Sequence, residues 1–235
     1  MYRLFLHLLP VLLVITLLTP ITPVHVTYSE SNTECTVILE PGNFTNIKDI
    51  YEGVVCLLPG EYRVEEINIA NRSLIIQGLG SSPSDVRIVL TKGSLKLAPR
   101  ENETIVLRNL SVETVASGST PAIQIYWSGK KGVKYDIGTV VLDSLLVNAT
   151  RAIATSVQIG PGITLREFKI NNSVILAGDI GIQIGPESSI TGLILIDNNT
   201  IRAGNIGIQV GPGAYVAEYL RISRNTIEAG STGIQ

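Results

Sequence analysis

The sequence predicts an all-β chain wound as a parallel β-helix, a solenoid whose coils are about 26 residues long. Three observations carry this prediction. The tripeptide Gly-Ile-Gln occurs at Gly181–Gln183, Gly207–Gln209 and Gly233–Gln235, each copy 26 residues from the next. Ala-Gly pairs ending at Gly178, Gly204 and Gly230, and Gly-Pro pairs starting at Gly185 and Gly211, keep the same phase. The residues between these marks alternate with period two, which is the signature of strands rather than helices.

Each coil contributes strands in a fixed order. The hexads Ile170-Asn-Asn-Ser-Val-Ile175, Ile196-Asp-Asn-Asn-Thr-Ile201 and Ile222-Ser-Arg-Asn-Thr-Ile227 align. Ahead of them, Phe168, Ile194 and Leu220 share the inward face with Ile170, Ile196 and Ile222, while Lys169, Leu195 and Arg221 face out. A second strand holds Ile180, Ile182 and Ile184 on one face and Gly181 and Gln183 on the other. The Asn-rich, Ala-Gly and Gly-Pro stretches are turn chemistry, because Gly and Asn tolerate positive φ and Pro cannot donate to a ladder. Strands recurring at this interval pair with their own copies in adjacent coils. Looser copies lie upstream, at Leu107–Val112 and Leu142–Val147 for the hexad and at Ala122–Ile125 and Val157–Ile159 for the second strand. Between Gln124 and Gln158 one coil carries an excursion of about eight extra residues.

Segments such as Leu195–Ile201, and the stretch Cys56–Ile69 followed by Ser73–Gly80, resemble right-handed parallel β-helices of the pectate-lyase-like superfamily. They are also similar to copper-associated and carbohydrate-type β-helix repeat proteins. The resemblance covers roughly residues 36 to 235 and implies the fold strongly and an activity hardly at all. Its enzymes use motifs this chain lacks: an Asp-Asp pair with Gly-His-Gly, an Arg-x-Pro-x-x-Arg stretch with acidic calcium ligands, or Asp-Pro-His-Asp.

The N-terminus reads as a leader. Arg3 precedes an apolar run from Leu4 to Leu18, too short for a clean membrane span. Residues 1–29 are therefore expected to be a signal peptide cleaved near Ser29, or an uncleaved N-terminal anchor, which would be the one membrane connection. Residues 30–60 are expected to form an N-terminal cap and first coil, with Ile47, Ile50 and Tyr51 on one face of a short amphipathic segment. Residues 61–235 form the β-helix. Its strand runs to Gln235 without a cap, which leads to the expectation of further coils, or another chain, at that edge. Cys35 and Cys56, the only cysteines, are expected to form a disulfide in an oxidising compartment. Sequons stand at Asn43, Asn71, Asn102, Asn109, Asn148, Asn171 and Asn198, seven of fourteen asparagines, and are possible glycosylation sites. For Asn171 and Asn198, turn geometry explains the asparagine equally well. Together these features point to a secreted or cell-surface protein.

Both histidines, His7 and His25, lie in the leader region, and the six aspartates are single. This removes His-based acid–base and nucleophile systems and imidazole metal ligands. No catalytic residue, metal or cofactor is expected. Without Arg3 the chain carries 17 Lys+Arg against 20 Asp+Glu with no basic stripe, which argues against nucleic acid. Two features could bind ligand. The excursion holds Tyr126, Trp127, Lys130, Lys131, Lys134 and Tyr135, able to stack on sugars and attract acidic groups, or simply to pack on the coil as a solvated loop. The outward column of Gln183 and Gln209 could bind a glycan, or serve only as an amide ladder. The leading expectation is an exported β-helix with a structural, adhesive or glycan-binding role at the cell surface, its partner a polysaccharide or surface glycan. Two alternatives remain open: a polysaccharide lyase or glycoside hydrolase with active residues at the edge of this segment or beyond it, and the extracellular domain of a membrane-anchored sensor or transport-associated protein.

Overall fold

The computed structural model describes residues 34–42, 47, 49–126, 136–150 and 153–235. They form a parallel β-solenoid of about six coils with almost no helix. Three sheets run the length of the described chain, and every strand pairs in parallel with its counterpart one coil away. The first sheet contains Val37–Leu39, Glu52–Leu57, Ser73–Gly78, Thr104–Arg108, Asp136–Asp143, Thr164–Asn171, and then pairs of shorter strands up to Tyr219–Ser223. The second runs from Gly60–Val64 to Thr226–Ala229 and the third from Ile67–Ala70 to Thr232–Ile234.

The alternating pattern determines the interior. Phe168 pairs with Ile194, Ile170 with Ile196, and Ile182 with Ile208, and all six side chains are fully buried. Each such aliphatic contributes roughly 1.5–3 kcal/mol by leaving water. Gln183 and Gln209 point outward, so the register read from the sequence holds. Two core expectations need correction. Leu220 and Ile222 stack in register on Ile194 and Ile196, yet Leu220 is 38% exposed and Ile222 only half-buried. They sit on the outermost described coil, which has a neighbour on one side only.

The corners explain the periodic glycines and asparagines. Between the first and second sheets the chain turns through one residue of positive φ: Asn109, Ser144, Asn172, Asn198 and Arg224 in successive coils, all near 50–56°. Asparagine is the residue other than glycine that enters this region at least cost. Gly181 is a second correction. It is buried rather than outward, and a Cβ there would lie 2.5 Å from both the Gly207 carbonyl oxygen and Ile201 Cγ2. A Cβ on Gly204 would lie 2.1 Å from the Gly178 carbonyl oxygen, and one on Gly230 equally close to that of Gly204. Backbone meets backbone between coils at these corners, leaving no room for a side chain.

At the N-terminal end, Cys35 and Cys56 are disulfide-bonded with Cα atoms 5.7 Å apart. Closing that loop contributes about 3 kcal/mol by chain entropy. Tyr62 is buried, and its hydroxyl lies 2.8 Å from the carbonyl oxygens of both Leu39 and Leu58, which share its one proton. Burial pushes its phenol up to about 12. Of the expected amphipathic face, Ile47 and Ile50 pack on the core. Tyr51 lies outside, 69% exposed, with the Arg72 guanidinium 4.8 Å from its ring centre.

Candidate functional site

The interval between successive glutamines of the third sheet is 34 residues at Gln124–Gln158 and 25 or 26 afterwards. Where the period breaks, a groove of about 420 Å³ opens beside the first sheet. It is lined by Glu101, Asn102, Asp136, Ile137, Thr164, Arg166 and Thr191, drawn from four successive coils.

Its wall is a short loop, residues 99–103. The Glu103 carboxylate accepts from the Arg100 amide at 2.6 Å, and the Glu103 amide donates to the Arg100 carbonyl at 2.8 Å, closing the loop on itself. The loop then lies against the start of the next coil: Gly138 N donates to the Pro99 carbonyl and Thr139 N to that of Glu103, both at 3.0 Å. A Cβ at Gly138 would sit 2.2 Å from two of the loop's carbonyl oxygens, so only glycine permits this approach. Glu101 and Asn102 are thereby held at the exposed tip.

The floor comes from rungs in register. Asp136 pairs with Thr164 and Thr164 with Ser189, while Thr191 N bonds to the Leu165 carbonyl at 3.0 Å. The strand partner then breaks at Thr191–Gly192, opposite the exposed Arg166. A Cβ at Gly192 would meet the Arg166 carbonyl at 2.7 Å. With glycines at 138 and 192, the guanidinium of Arg166 is not crowded by side chains from those positions. The Glu218 carboxylate lies 4.0 Å from the Cβ position at Gly192.

This groove collects unspent hydrogen-bonding capacity in one concavity. On other faces of the solenoid several outward charges pair with one another: Arg87 bridges Glu61 and Glu113, Lys92 meets Glu65, and Lys96 meets Glu66. By contrast, the side chains of Glu101, Asn102, Asp136, Thr164, Arg166 and Thr191 make no hydrogen bond or ion pair among the described residues. A slightly larger hollow of about 440 Å³ lies over the second sheet, but alanines and Leu176 line most of it. Its two charges, Arg202 and Glu228, bond each other at 2.9 Å. Size favours that hollow; available chemistry favours the groove.

The sequence-derived candidates fare differently. Trp127, Lys130, Lys131, Lys134, Tyr135 and Asn43 lie outside the described residues. Tyr126 is half-buried and its ring packs against Gly160 of the next coil, whose Cβ position is 2.9 Å from Tyr126 Cδ2. The glutamines form one continuous chain: Gln124 Nε2 donates to Gln158 Oε1 at 3.0 Å, and so on through Gln183 and Gln209 to Gln235. The inner rungs Gln158, Gln183 and Gln209 therefore each spend one donor and one acceptor on their neighbours, as a structural ladder does.

The sequons divide by geometry. Asn71 and Asn102 are exposed. Asn109 Nδ2 donates to the carbonyls of Gly78 and Gly80, at 3.0 and 2.8 Å. Asn148 accepts from Thr150 N and Oγ1. Asn198 donates to Asn172, which donates to Asp143, both at 2.8 Å. Asn171 sits between Asp143 and Asp197 in the outward column, its amide oxygen buried and without a donor. Below it in sequence, Asn199 Oδ1 accepts from the Ser173 amide, and Asn225 Oδ1 accepts from that of Asn199. The Asp197 carboxyl is held below the usual range, chiefly by the Arg224 guanidinium and also by the Ser223 hydroxyl. These contacts make the asparagine columns part of the fold.

Sequence reasoning missed Glu101, Asp136, Thr164, Arg166 and Thr191 as a group. The available signal was Arg166, a cation between glycines of adjacent coils. Among the described residues, no three His, Cys, Asp or Glu side chains converge to hold a metal. Comparison with protein-family models, curated proteins and solved structures returned no match.

Proposed function

We propose that this chain is an exported right-handed β-helix of the pectate-lyase-like type, displayed at the cell surface, that holds a glycan in the groove between Glu101 and Thr191 without cleaving it. The observation that carries the reading is the set of six polar side chains without partners among the described residues, collected from four coils into one concavity. Two carboxylates accept, a guanidinium donates, and two hydroxyls and an amide do both, which suits the paired donor–acceptor character of sugar hydroxyls. Export is supported by the leader and by the Cys35–Cys56 bond.

The test is a panel of soluble oligosaccharides against the purified protein and its Arg166→Ala and Thr164→Ala variants. Binding in the wild type, weakened tenfold or more in the variants with circular dichroism unchanged, supports the reading. Binding that the variants leave intact, or no binding to any class of sugar, defeats it. Glu101 and Asp136 in one groove also favour a hydrolase, since such enzymes act through two carboxylates. Steady release of reducing ends, lost in Asp136→Asn, would replace the binding reading with that one.

A further inference from the structure

We infer that the groove selects neutral, hydroxyl-rich sugars and rejects uronate polymers. This rests on the glycan-binding reading above and adds the class of ligand. The inference comes from the charges that face the concavity. Glu101 on the loop and Asp136 on the floor are both exposed carboxylates. Arg166 is the one cation lining the groove among the described residues. The nearby Lys169 is already paired with Glu167 at 2.9 Å, so it does not add a free positive charge. Among the described residues the formal balance of the lining is negative, and neither Glu101 nor Asp136 has an ion-pair partner.

A sugar hydroxyl meets this lining on both sides. It donates to Glu101 or Asp136 and accepts from Arg166, Asn102 or the threonine hydroxyls. A uronate carboxylate has no hydrogen to give and brings a negative charge among like charges. Arg166 could pair with one such group, but adjacent carboxylates would oppose the next uronate along the chain. The groove crosses four rungs about 4.8 Å apart, so an occupant lying along the axis is a run of several sugar rings rather than one. Repulsion would therefore recur along a polyuronate.

The experiment measures binding of neutral gluco-, manno- and xylo-oligosaccharides and of oligogalacturonate and oligomannuronate at low ionic strength. It uses the wild type, the Glu101→Gln/Asp136→Asn double variant, and Arg166→Ala. The wild type is expected to bind at least one neutral oligomer and to bind oligouronates at least tenfold more weakly. The double variant should gain tenfold or more toward oligouronates, with the gain shrinking as salt rises. Its neutral affinity is expected to fall, because an amide oxygen accepts more weakly than a carboxylate, so the readout is the ratio of uronate to neutral affinity, which should rise tenfold or more. Arg166→Ala should weaken neutral binding.

Equal or tighter uronate binding by the wild type would overturn the selectivity while leaving glycan binding standing. A double variant that gains nothing toward uronates overturns the selectivity as well. Absence of binding to either class by wild type and double variant sinks the glycan reading itself.

Discussion

The Gly-Ile-Gln repeat contains its own control, because its three glycines share a sequence context and differ only in what lies over them. A Cβ on Gly181 would meet the Gly207 carbonyl oxygen and Ile201 Cγ2, both at 2.5 Å. On Gly207 it would meet Ile227 Cγ2 at 2.3 Å and the Gly233 oxygen at 2.6 Å. On Gly233 the nearest atom is Ile227 Cγ2 at 3.9 Å, an ordinary contact. Substitution to alanine at Gly181 or Gly207 must therefore push adjacent coils apart by about 1 Å. Overpacking of this kind costs about 1–3 kcal/mol. The displaced corner also strains a backbone bond, such as Asn205 N to the Asp179 carbonyl or Ser231 N to that of Asn205, adding about 1 kcal/mol. The expected loss is about 2–4 kcal/mol for Gly181→Ala and for Gly207→Ala. Gly233→Ala in the same 235-residue chain should be neutral, or stabilising by up to about 1 kcal/mol through the lost flexibility of its unfolded state. Urea titrations followed by far-ultraviolet circular dichroism read this out: at a slope of about 2 kcal/mol/M the two inner variants should lose about 1–2 M in midpoint. If all three variants are equally damaged, the glycines answer to local backbone demands and not to coil stacking. If Gly181→Ala is silent, the close approach between coils is not real.

Two further outcomes follow from named side chains. Tyr62→Phe removes the hydroxyl's bonds to Leu39 and Leu58 and should cost about 1–2 kcal/mol. Because burial raises the folded phenol to about 12 against roughly 10 unfolded, its contribution is intact below pH ~10 and lost as pH climbs through 12. Melting temperatures taken across that range should fall in the wild type, and a parallel fall of equal size in Tyr62→Phe would contradict the assignment. In a glycosylating host, glycopeptide mass spectrometry of folded protein should find sugar at the exposed Asn71 and none at Asn109. A sugar on Asn109 would take one of the two amide hydrogens that hold Gly78 and Gly80. Occupied Asn109 in folded material would refute that reasoning.

The fold was legible because a solenoid repeats its reasons. Ile182 and Gln183 recur as Ile208 and Gln209, so one inward–outward decision settles every coil, and the structure agrees with it. The disulfide was equally accessible, since two cysteines permit one pairing. Gly181 was misread because strict alternation ignores a corner, where the chain bends and a residue that should face out meets the next coil instead. Leu220 was misread because stacking was taken to guarantee burial, which needs neighbours on both sides.

The groove escaped for a reason rooted in the same geometry. In coils that keep the 26-residue period, packing accounts for most positions: glycines pass backbone over backbone, asparagines turn corners, and isoleucines fill the core. Little in such a coil is left over for another purpose. Where the period breaks, between the loop at 99–103 and the strand Thr164–Asn171, the chain makes a wall that stacking does not require. Gly138 then makes room for that wall rather than for a neighbouring rung alone. The polar groups collected there, Glu101, Asp136 and Arg166 among them, are not consumed by the ladders that occupy their counterparts elsewhere. Residues assembled from four coils of unequal length share no spacing in the sequence, so no periodicity search could have joined them. In a molecule whose regular part is so fully explained by coil-on-coil contact, the irregular coils are where binding chemistry has room to sit.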